Sequence, residues 1–570
     1  MLPDRFHLAG FPALRKIALG AAAVLLPIGV VAFGQVTAGA GPAQWFARPS
    51  ELPKDVFDLP EFDSKRTGGV LDLAKAQAEL EAMSDTDLPA AQRLFDIFSW
   101  RAFVALNWPA TAAGAPDPSK NFSNIDAATP LAWEFWQPTS GVFLANGQKP
   151  AWSPSMSHAL DHFKAGWRQT TTVNEGKQAF SGPLIDQNGK WVHYVSLMNR
   201  EEFDYIVENE LYNLEGQAAF VRNSRIEFPV NTDAKRGAIE IKLAWKVLTP
   251  AEVRSNRFLV KRLPVVQYIP AGAATTTATT TTAAAMPPAH LSGRSADNGT
   301  SASPTETLGL IGMHIAMRTR SSPQWIWATF EQIDNTRLDF ASGDAKHPLP
   351  KQPSLSNPDN PLALPYANLL PAFNAPATGG APPADWDEAL PIPPVEVLRL
   401  VPPPQGTQKI NVQAQAFLGS KDSVLRFYEL NGTQWPKHPK APSVPGGQGS
   451  APDSISRKMP GEVVPVYLTN STMETYFQKG YQQAAPLEQD NRTSAVFDTT
   501  PVFGTESCVG CHYSAGACIG FKKDSAGKLI LDANGNKIPI FGENANGGLT
   551  GNGNFSWLLQ LEAKAKSPKK

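Results

Sequence analysis

The chain has 570 residues, with 42% hydrophobic and 18% charged side chains, 51 prolines and a formal net charge of −1. This composition belongs to a globular protein long enough for more than one core, and not to a disordered chain. The near-neutral charge gives no reason to expect binding to nucleic acid or to an anionic surface. The many prolines and the few long periodic helical runs favour a loop-rich body that is either α+β or mainly β, and we expect the α+β class with a partly β body.

The N-terminus carries the pattern of an export signal. Basic residues precede an apolar run at 17–34, and the small-residue pattern Ala38-Gly39-Ala40 follows. This order is typical of a secretory signal peptide, and we expect residues 1–40 to be removed after Ala40. The alternative is an uncleaved membrane anchor, because an apolar run of about 18 residues can just span a bilayer. The sequence therefore predicts an exported, periplasmic protein.

Residues 41–460 are predicted to form the large α+β body. Apolar residues at helical spacing predict an amphipathic helix over 90–110, and Asn188-Gly189 between alternating segments predicts a hairpin. The alternation over 237–248 predicts a half-buried strand. The Thr/Ala/Ser-rich stretch at 271–308 holds too little apolar surface to order itself, so it is interpreted as a low-complexity surface insertion.

Residues 461–570 are predicted to form a small, mainly helical module. A capping box made by Ser471 and Glu474 predicts the start of a helix over 469–483. The other elements predicted here are a hairpin around Asn534-Gly535 and a terminal helix over 554–566.

All three cysteines lie in one short stretch of this module, "ESCVGCHYSAGAC" (506–518). On a helix, Cys508, Cys511 and His512 share a face because they are spaced i, i+3 and i+4. This is the C-x-x-C-H pattern of c-type haem attachment, in which two thiols bond to the two vinyl groups of one haem. The adjacent histidine is then the proximal ligand of the haem iron. The motif predicts one covalent haem c.

Two other chemistries use similar spacing. A zinc site could combine the two thiols of the motif with Cys518 and a histidine. A thioredoxin-like redox pair could use Cys508 and Cys511. An exported protein meets an oxidising compartment, and the sequence has no second C-x-x-C pair and no βαβ pattern near residue 500. These observations favour haem, with Cys518 as a small buried side chain.

The second axial ligand of the iron is not specified by the motif. No methionine and no histidine follows His512 in the sequence. The best candidates lie upstream in "GMHIAMRT", in the order His314, Met317, Met313. If this segment is a strand, the two methionines share one face and the histidine lies on the other.

Several segments together give the chain a family resemblance. It resembles the c-type cytochromes in "SCVGCH", and more widely a group of large bacterial single-haem cytochrome c family proteins. The stretches that carry the wider resemblance are "FSWRAFVALNWP", "GAIEIKLAWKVL", "GMHIAMRT", "WIWATFEQIDN", "YELNGTQWP" and "LTNSTMETYFQ". The resemblance implies covalent haem and export. Small cytochromes c have a methionine after the motif, which this chain lacks.

We expect one-electron transfer in the periplasm, with a redox partner protein that docks on the body. The alternatives are a haem enzyme of the peroxidase or oxygenase type and a haem-based gas sensor, both of which need an open position on the iron. The sequence alone does not assign catalytic residues.

Overall fold

The structure is a computed structural model. It describes residues 41–46, 51–153, 184–264, 267–269, 300–357, 401–438, 461–474, 507–542 and 551–566, apart from a few single positions in these ranges, and also residues 394, 397 and 399. The predicted signal peptide and most of the low-complexity insertion lie outside the described residues, as does the predicted helix beyond residue 474.

The described residues form both helices and strands, so the predicted α+β class is confirmed at this level. The α-helices are α1 Pro42–Trp45, α2 Leu73–Thr86, α3 Leu88–Leu106, α4 Arg200–Glu208, α5 Leu214–Phe220, α6 Pro250–Arg254, α7 Gln405–Ser420, α8 Cys508–His512 and α9 Leu558–Leu561. The strands are β1 Arg66–Thr67, β2 Val70–Leu71, β3 Gln137–Pro138, β4 His193–Met198, β5 Ile239–Val247, β6 Val260–Pro264, β7 Gln267–Ile269, β8 Thr300–Ala302, β9 Thr305–Met317, β10 Ile326–Gln332, β11 Tyr428–Pro436, β12 Val463–Val464, β13 Ala517–Phe521 and β14 Pro539–Gly542.

The centre of the described fold is an antiparallel sheet of eight strands in the order β12-β11-β10-β9-β5-β4-β3, with β6 paired to one end of β9. The strand predicted over 237–248 is confirmed as β5, and the segment "GMHIAMRT" lies largely in strand β9. The turn predicted at Asn188-Gly189 is confirmed, since Gly189 N donates to Asp186 O at 2.9 Å.

One face of this sheet is apolar and covers the main core. Side chains alternate between the two faces of a strand, so every second residue of β5 and β9 points to this side. The residues here include Ile239, Ile241, Leu243, Met313, Ile315 and Met317. Helices α3 and α7 pack over them, with the rings of Phe103 and Phe330 stacked at a centroid distance of 4.2 Å.

Helix α3 differs from its prediction. It begins after Asp87, whose side chain accepts a hydrogen bond from Ala90 N, and it ends at Leu106, before the proline that was expected to stop it. Residues 94–106 are all buried, so the helix is enclosed and not amphipathic over this part. The sheet, α2 and α7 all contact α3. Together they bury the side of the helix that the sequence pattern predicted to face solvent.

The opposite face of the sheet is polar. Its in-register residues include Glu240, Lys242, His314, Thr329 and Glu331. The C-terminal segment covers this face: Asn470 Nδ2 donates to Thr329 Oγ1 at 2.7 Å, and Ser471 donates to the Glu331 carboxylate through its backbone N–H at 2.6 Å. The segment around α8 is therefore seated on the hydrophilic side of the sheet.

The described residues of 461–570 contain two short helices and three strands, and so differ from the mainly helical module that was expected. Residues 471–474 form a turn where the start of a helix was expected, with Ser471 N donating to the Glu331 carboxylate and Glu474 Oε2 accepting from Asn470 N. The hairpin around Gly535 is confirmed by an antiparallel bridge between Leu531 and Lys537. The terminal helix is shorter than predicted, Leu558–Leu561. The domain boundary at 460 stays a prediction.

Candidate functional site

The C-x-x-C-H motif forms the five-residue helix α8, Cys508–His512, as the spacing predicted. Ser507 is its N-cap, with a side-chain oxygen that accepts from Gly510 N at 3.3 Å. Serine is a favoured cap because its oxygen satisfies a backbone N–H that has no partner within the first turn. The helix brings both thiols and the imidazole to one short stretch of backbone.

Gln434 of β11 fastens this helix to the sheet. Its Oε1 accepts from Val509 N at 2.8 Å, and its Nε2 donates to Ser507 Oγ at 2.9 Å and to Pro465 O at 2.7 Å. Gln434 is fully buried, so its side-chain amide cannot bond to water. Its hydrogen bonds satisfy buried polar groups that would otherwise lack a partner. One amide side chain thus sets the position of α8 on the polar face.

The His512 ring is held in a single tautomer. Its Nδ1 lies 2.7 Å from Phe555 O, and since a carbonyl can only accept, Nδ1 carries the proton. Burial, and then the nearby charges of Lys242 and His314, lower the pKa of His512 to about 4, although the Phe555 carbonyl acts in the other direction. The imidazole is therefore neutral near pH 7, with the lone pair on Nε2.

Trp327 of β10 packs against the same imidazole, with 4.4 Å between the ring centroids and 49° between the planes. Trp327 pairs in register with Ala316 of β9, which places it on the polar face close to His314. Val509 lies within the motif and Tyr513 directly follows it, and both are buried in the same cluster as Trp327. Apolar contacts and hydrogen bonds together hold α8 in place.

The Phe555 carbonyl is presented by an unusual backbone. Asn554 and Phe555 have φ of 51° and 66°, in the left-handed region that residues with a Cβ rarely adopt. Asn554 Oδ1 accepts from Arg318 Nη1 at 3.1 Å and from Phe228 N at 3.2 Å. Asn554 O accepts from Trp325 Nε1 at 2.9 Å. Conformations of this kind persist where surrounding contacts enforce them, and they are common at functional sites.

His314 lies on the same sheet face as α8. It pairs in register with Lys242 of β5 and Thr329 of β10. Its Nε2 lies 3.4 Å from Glu474 Oε2, and the two side chains are 17% and 20% exposed. Within the described residues Nε2 is shielded from solvent and has no hydrogen-bond partner. The contact with the Glu474 carboxylate at 3.4 Å is longer than an ordinary charge-assisted hydrogen bond.

Met313 and Met317 lie on the other face of β9, away from α8. Both are buried in the main core, and Met313 Sδ accepts from Asn107 Nδ2 of the chain just after α3 at 3.6 Å. The structure thus separates the two methionines from the cysteine motif by the thickness of the sheet. Of the three candidates for the second iron ligand, only His314 shares a face with His512.

The two motif cysteines are partly exposed, whereas Cys518 is buried. Burial raises the pKa of Cys508 well above its usual value, and the Glu474 carboxylate and Cys511 add to this rise. Cys518 is completely buried, and its backbone N–H donates to Gln217 Oε1 at 2.8 Å. Burial also raises the pKa of Cys518 to about 11. Cys518 is therefore a buried thiol in the interior, as its isolation in the sequence suggested.

Sequence reasoning missed four residues that complete the site. Gln434, Lys242, Trp327 and Phe555 are far from the motif in the chain, and only folding brings them to it. The alternation of β5 did contain a signal for Lys242, since it placed Glu240 and Lys242 opposite the apolar face. No local pattern marks the other three.

No three His, Cys, Asp or Glu side chains of the described residues are gathered as a metal-binding group. None of the helices in the described ranges combines the length and apolarity needed to cross a bilayer. Comparisons of the chain with models of protein families, with curated proteins and with solved structures find no match.

Proposed function

We propose that this protein is an exported c-type cytochrome that carries one covalent haem c and transfers single electrons in the periplasm. The observation that carries the proposal is the state of His512: it follows C-x-x-C on one helix, is neutral, and donates through Nδ1 to the Phe555 carbonyl. Metal-ligating histidines almost always donate their second ring nitrogen in this way, which fixes the tautomer and the ring plane.

The residues present fit this cofactor. Cys508 and Cys511 would hold the haem through thioether bonds, and His512 Nε2 would bind the iron. The haem supplies the one-electron redox chemistry when bound. Gln434 and Trp327 keep α8 and the imidazole in position, so that the ligand geometry is set by the sheet and not by the loop alone.

In this proposal His314 would be the second protein residue to bind the haem iron. Its Nε2 is shielded from solvent and lies 3.4 Å from Glu474 Oε2 without a hydrogen bond, and His314 is on the sheet face that α8 covers. A buried polar atom without a partner is unfavourable unless it has a ligand. With two histidines on the iron the protein would be an electron carrier that docks a redox partner protein.

A second function is favoured by the contact between His314 and Glu474. A histidine 3.4 Å from a carboxylate is an acid–base pair of the kind that haem enzymes need beside an open iron position. If His314 does not bind the iron, this pair supports a peroxidase- or oxygenase-type enzyme, or a gas sensor.

Covalent haem attachment tests the main proposal. The full chain would be produced with a c-type haem maturation system, denatured, separated and stained for haem. We expect the wild type and Cys518→Ala to stain, and Cys508→Ala/Cys511→Ala not to stain. Export is read from the N-terminus of the periplasmic product, expected at residue 41. A wild type without covalent haem, or a double variant that keeps it, would refute the proposal.

A further inference from the structure

Exposed apolar side chains are concentrated in the described residues of 519–540, which we term the hairpin surface. Of the eight exposed large apolar side chains in the described ranges, five lie here: Ile519, Leu529, Ile530, Leu531 and Ile540. The other three lie one each in β2, in α7 and in the loop around residue 340. Single exposed apolar residues are ordinary, whereas a group of them in one place marks an interaction site.

Two tight turns build the hairpin surface. The backbone carbonyls of Asp524 and Asp532 each accept from the glycine three residues later, at 3.0 Å. These glycines have φ of 79° and 80°, which glycine adopts without strain. Between the turns, Ile530 N donates to Lys522 O at 2.9 Å, and Lys522 N donates to Ile538 O at 2.9 Å. The exposed apolar side chains are therefore presented by a hydrogen-bonded backbone.

A groove of about 730 Å³ separates the hairpin surface from helix α5. Its apolar lining comes from Ala218 of α5 and from Ile519, Phe521, Leu529 and Ile540 of the hairpin surface. The groove is concave, so it fits apolar side chains that project from a partner protein. A lipid bilayer would need a flat or protruding apolar face instead.

The groove is bordered by cations that lack a counter-ion. Four exposed basic side chains on and beside it form no ion pair with any other residue in the described part of the chain, namely Arg222, Lys522, Lys523 and Lys528. Glu215 lines the groove as well, but its Oε1 is already paired with Lys537 Nζ at 2.8 Å. The groove therefore presents unbalanced positive charge.

The two aspartates of the hairpin surface are bound to their own turns. Asp524 Oδ1 accepts from Ala526 N at 3.0 Å and from Lys528 N at 2.9 Å, and Asp532 Oδ1 accepts from Asn536 N at 2.8 Å. With four lysines and these two aspartates, residues 519–540 have a surplus of two positive charges, whereas the whole chain has a net charge of −1. Complementary charge favours an acidic partner, and a second copy of the same surface would be repelled.

The hairpin surface is joined to the proposed haem site. Ala517 N, at the start of β13, donates to Gly551 O at 2.7 Å. Ile519 Cγ2 packs so closely on Gly551 that a Cβ there would clash with it. The same loop carries Phe555, whose carbonyl accepts from His512 Nδ1. A partner in the groove would therefore contact a side chain that packs on the loop positioning His512.

We propose that the hairpin surface binds an acidic protein partner, whose carboxylates pair with the exposed cations and whose apolar side chains enter the groove. The surface itself belongs to the chain with or without haem. That the partner is the redox partner rests on the proposed function.

Binding of a synthetic peptide to the full chain tests this proposal. The probe is a fluorescent peptide of alternating glutamate and leucine, and the control probe alternates lysine and leucine. We expect the acidic peptide to bind, more weakly as the salt concentration rises, and the basic peptide not to bind. Lys522→Glu/Lys523→Glu/Lys528→Glu and Leu529→Ser/Ile540→Ser should each weaken binding by about tenfold or more.

Helix α7 offers the matched control, because Lys409 and Val412 are both exposed there, away from the hairpin surface. Lys409→Glu/Val412→Ser makes the same kinds of change and should bind the acidic peptide as the wild type does. Hydrogen exchange of the wild type, which needs no variant to fold, should show slower exchange in 519–540 when the peptide is bound.

Equal binding by the hairpin variants and the control, or protection only outside 519–540, would overturn the proposal. Binding to phosphatidylglycerol vesicles in place of the peptide would also overturn it, in favour of a membrane surface. Haem staining of the same sample separates this proposal from the proposed function. A chain that binds the peptide without haem contradicts the proposed function alone, and a haem-bearing chain that does not bind the peptide contradicts the docking surface alone.

Discussion

His512 and Phe555 are joined by a hydrogen bond of 2.7 Å across 43 residues of chain, from the imidazole Nδ1 to the backbone carbonyl. This hydrogen bond fixes the tautomer of the His512 ring and the direction in which Nε2 points. A ligand that is oriented before its metal arrives loses less freedom on binding, and the backbone acceptor cannot be protonated or ionised. The sheet and the 551–556 loop thus determine the orientation of the His512 ring.

The first prediction concerns His314. If its Nε2 binds the iron, His314→Ala opens that position, and the visible spectrum should change from low spin to high spin and respond to carbon monoxide. Met313→Leu and Met317→Leu are matched controls on the opposite face of β9, and conservative core changes of this type cost less than about 1.5 kcal/mol. We expect both to keep the wild-type spectrum.

An unchanged spectrum in His314→Ala would contradict the assignment of this ligand. A wild type that is already high spin and binds carbon monoxide would favour the enzyme or sensor function instead. In that case Glu474→Gln should lower peroxide or oxygen reactivity, because the variant removes the carboxylate beside His314.

Gln434 is predicted to be required for a stable motif helix. Gln434→Ala removes the acceptor of Val509 N and the donor to Pro465 O, and it leaves buried polar groups without partners. We expect a loss of about 1–3 kcal/mol in the free energy of unfolding, measured in urea, and a lower yield of covalent haem.

Gln408→Ala is the control for this variant, because the Gln408 amide donates to Pro403 O in an exposed position. It should leave both the stability and the haem yield close to those of the wild type. Equal effects in the two variants would show that Gln434 has no special role at the site.

The sequence predicted the elements of the site better than their arrangement. The spacing of Cys508, Cys511 and His512 is local, so it specified the helix α8 and the face that the three residues share. The alternation of β9 likewise separated His314 from the two methionines. Which face the C-terminal segment would cover could not be predicted, because that depends on packing between segments far apart in the chain.

The burial of helix α3 and the shortness of α9 show the same limit, because a local sequence pattern does not predict packing between distant segments. Helical periodicity in 90–110 marks one apolar face, but residues on the other face are buried by α2 and α7, which the sequence pattern does not place. Gln434 and Phe555 act through an amide and a backbone carbonyl. Neither group has a sequence signature, so neither could be predicted.

The pH dependence of stability should show the effect of Asp96. Burial raises the pKa of this carboxyl from 3.8 to about 6, although Thr407 and Gln92 donate hydrogen bonds to it. The folded state therefore binds the proton more tightly than the unfolded state. The contribution of the Asp96 proton to the free energy of unfolding is fully present below about pH 4. It is lost as the pH rises towards 6, and the total loss is about 3 kcal/mol.

Asp96→Asn keeps this side chain uncharged at every pH. We expect the difference in free energy of unfolding between the variant and the wild type to change in favour of the variant from pH 4 to 7, in urea titrations at fixed ionic strength. Asp63→Asn, at an exposed position, should follow the wild type throughout. If Asp96→Asn also follows the wild type, the carboxyl is not protonated in the folded protein.

The last prediction concerns the left-handed backbone at Asn554. Asn554→Ala and Asn554→Gly both remove the oxygen that accepts from Arg318 and Phe228, but only alanine keeps a Cβ at φ 51°. The glycine variant should lose about 1–3 kcal/mol of stability from the missing hydrogen bonds. The alanine variant should lose about 1–2 kcal/mol more, the cost of a left-handed conformation for a residue with a Cβ.

Asn256→Ala provides the control, since Asn256 has φ 52° at an exposed position outside the site. Asn256→Ala should lose only the free energy of placing alanine in the left-handed conformation, and it should leave the haem spectrum unchanged. Both Asn554 variants should alter the spectrum, because they move the Phe555 carbonyl that orients His512. Because the carbonyl can be displaced only by displacing its backbone, a normal spectrum in both Asn554 variants would mean that the His512 ring is oriented by Trp327 packing instead.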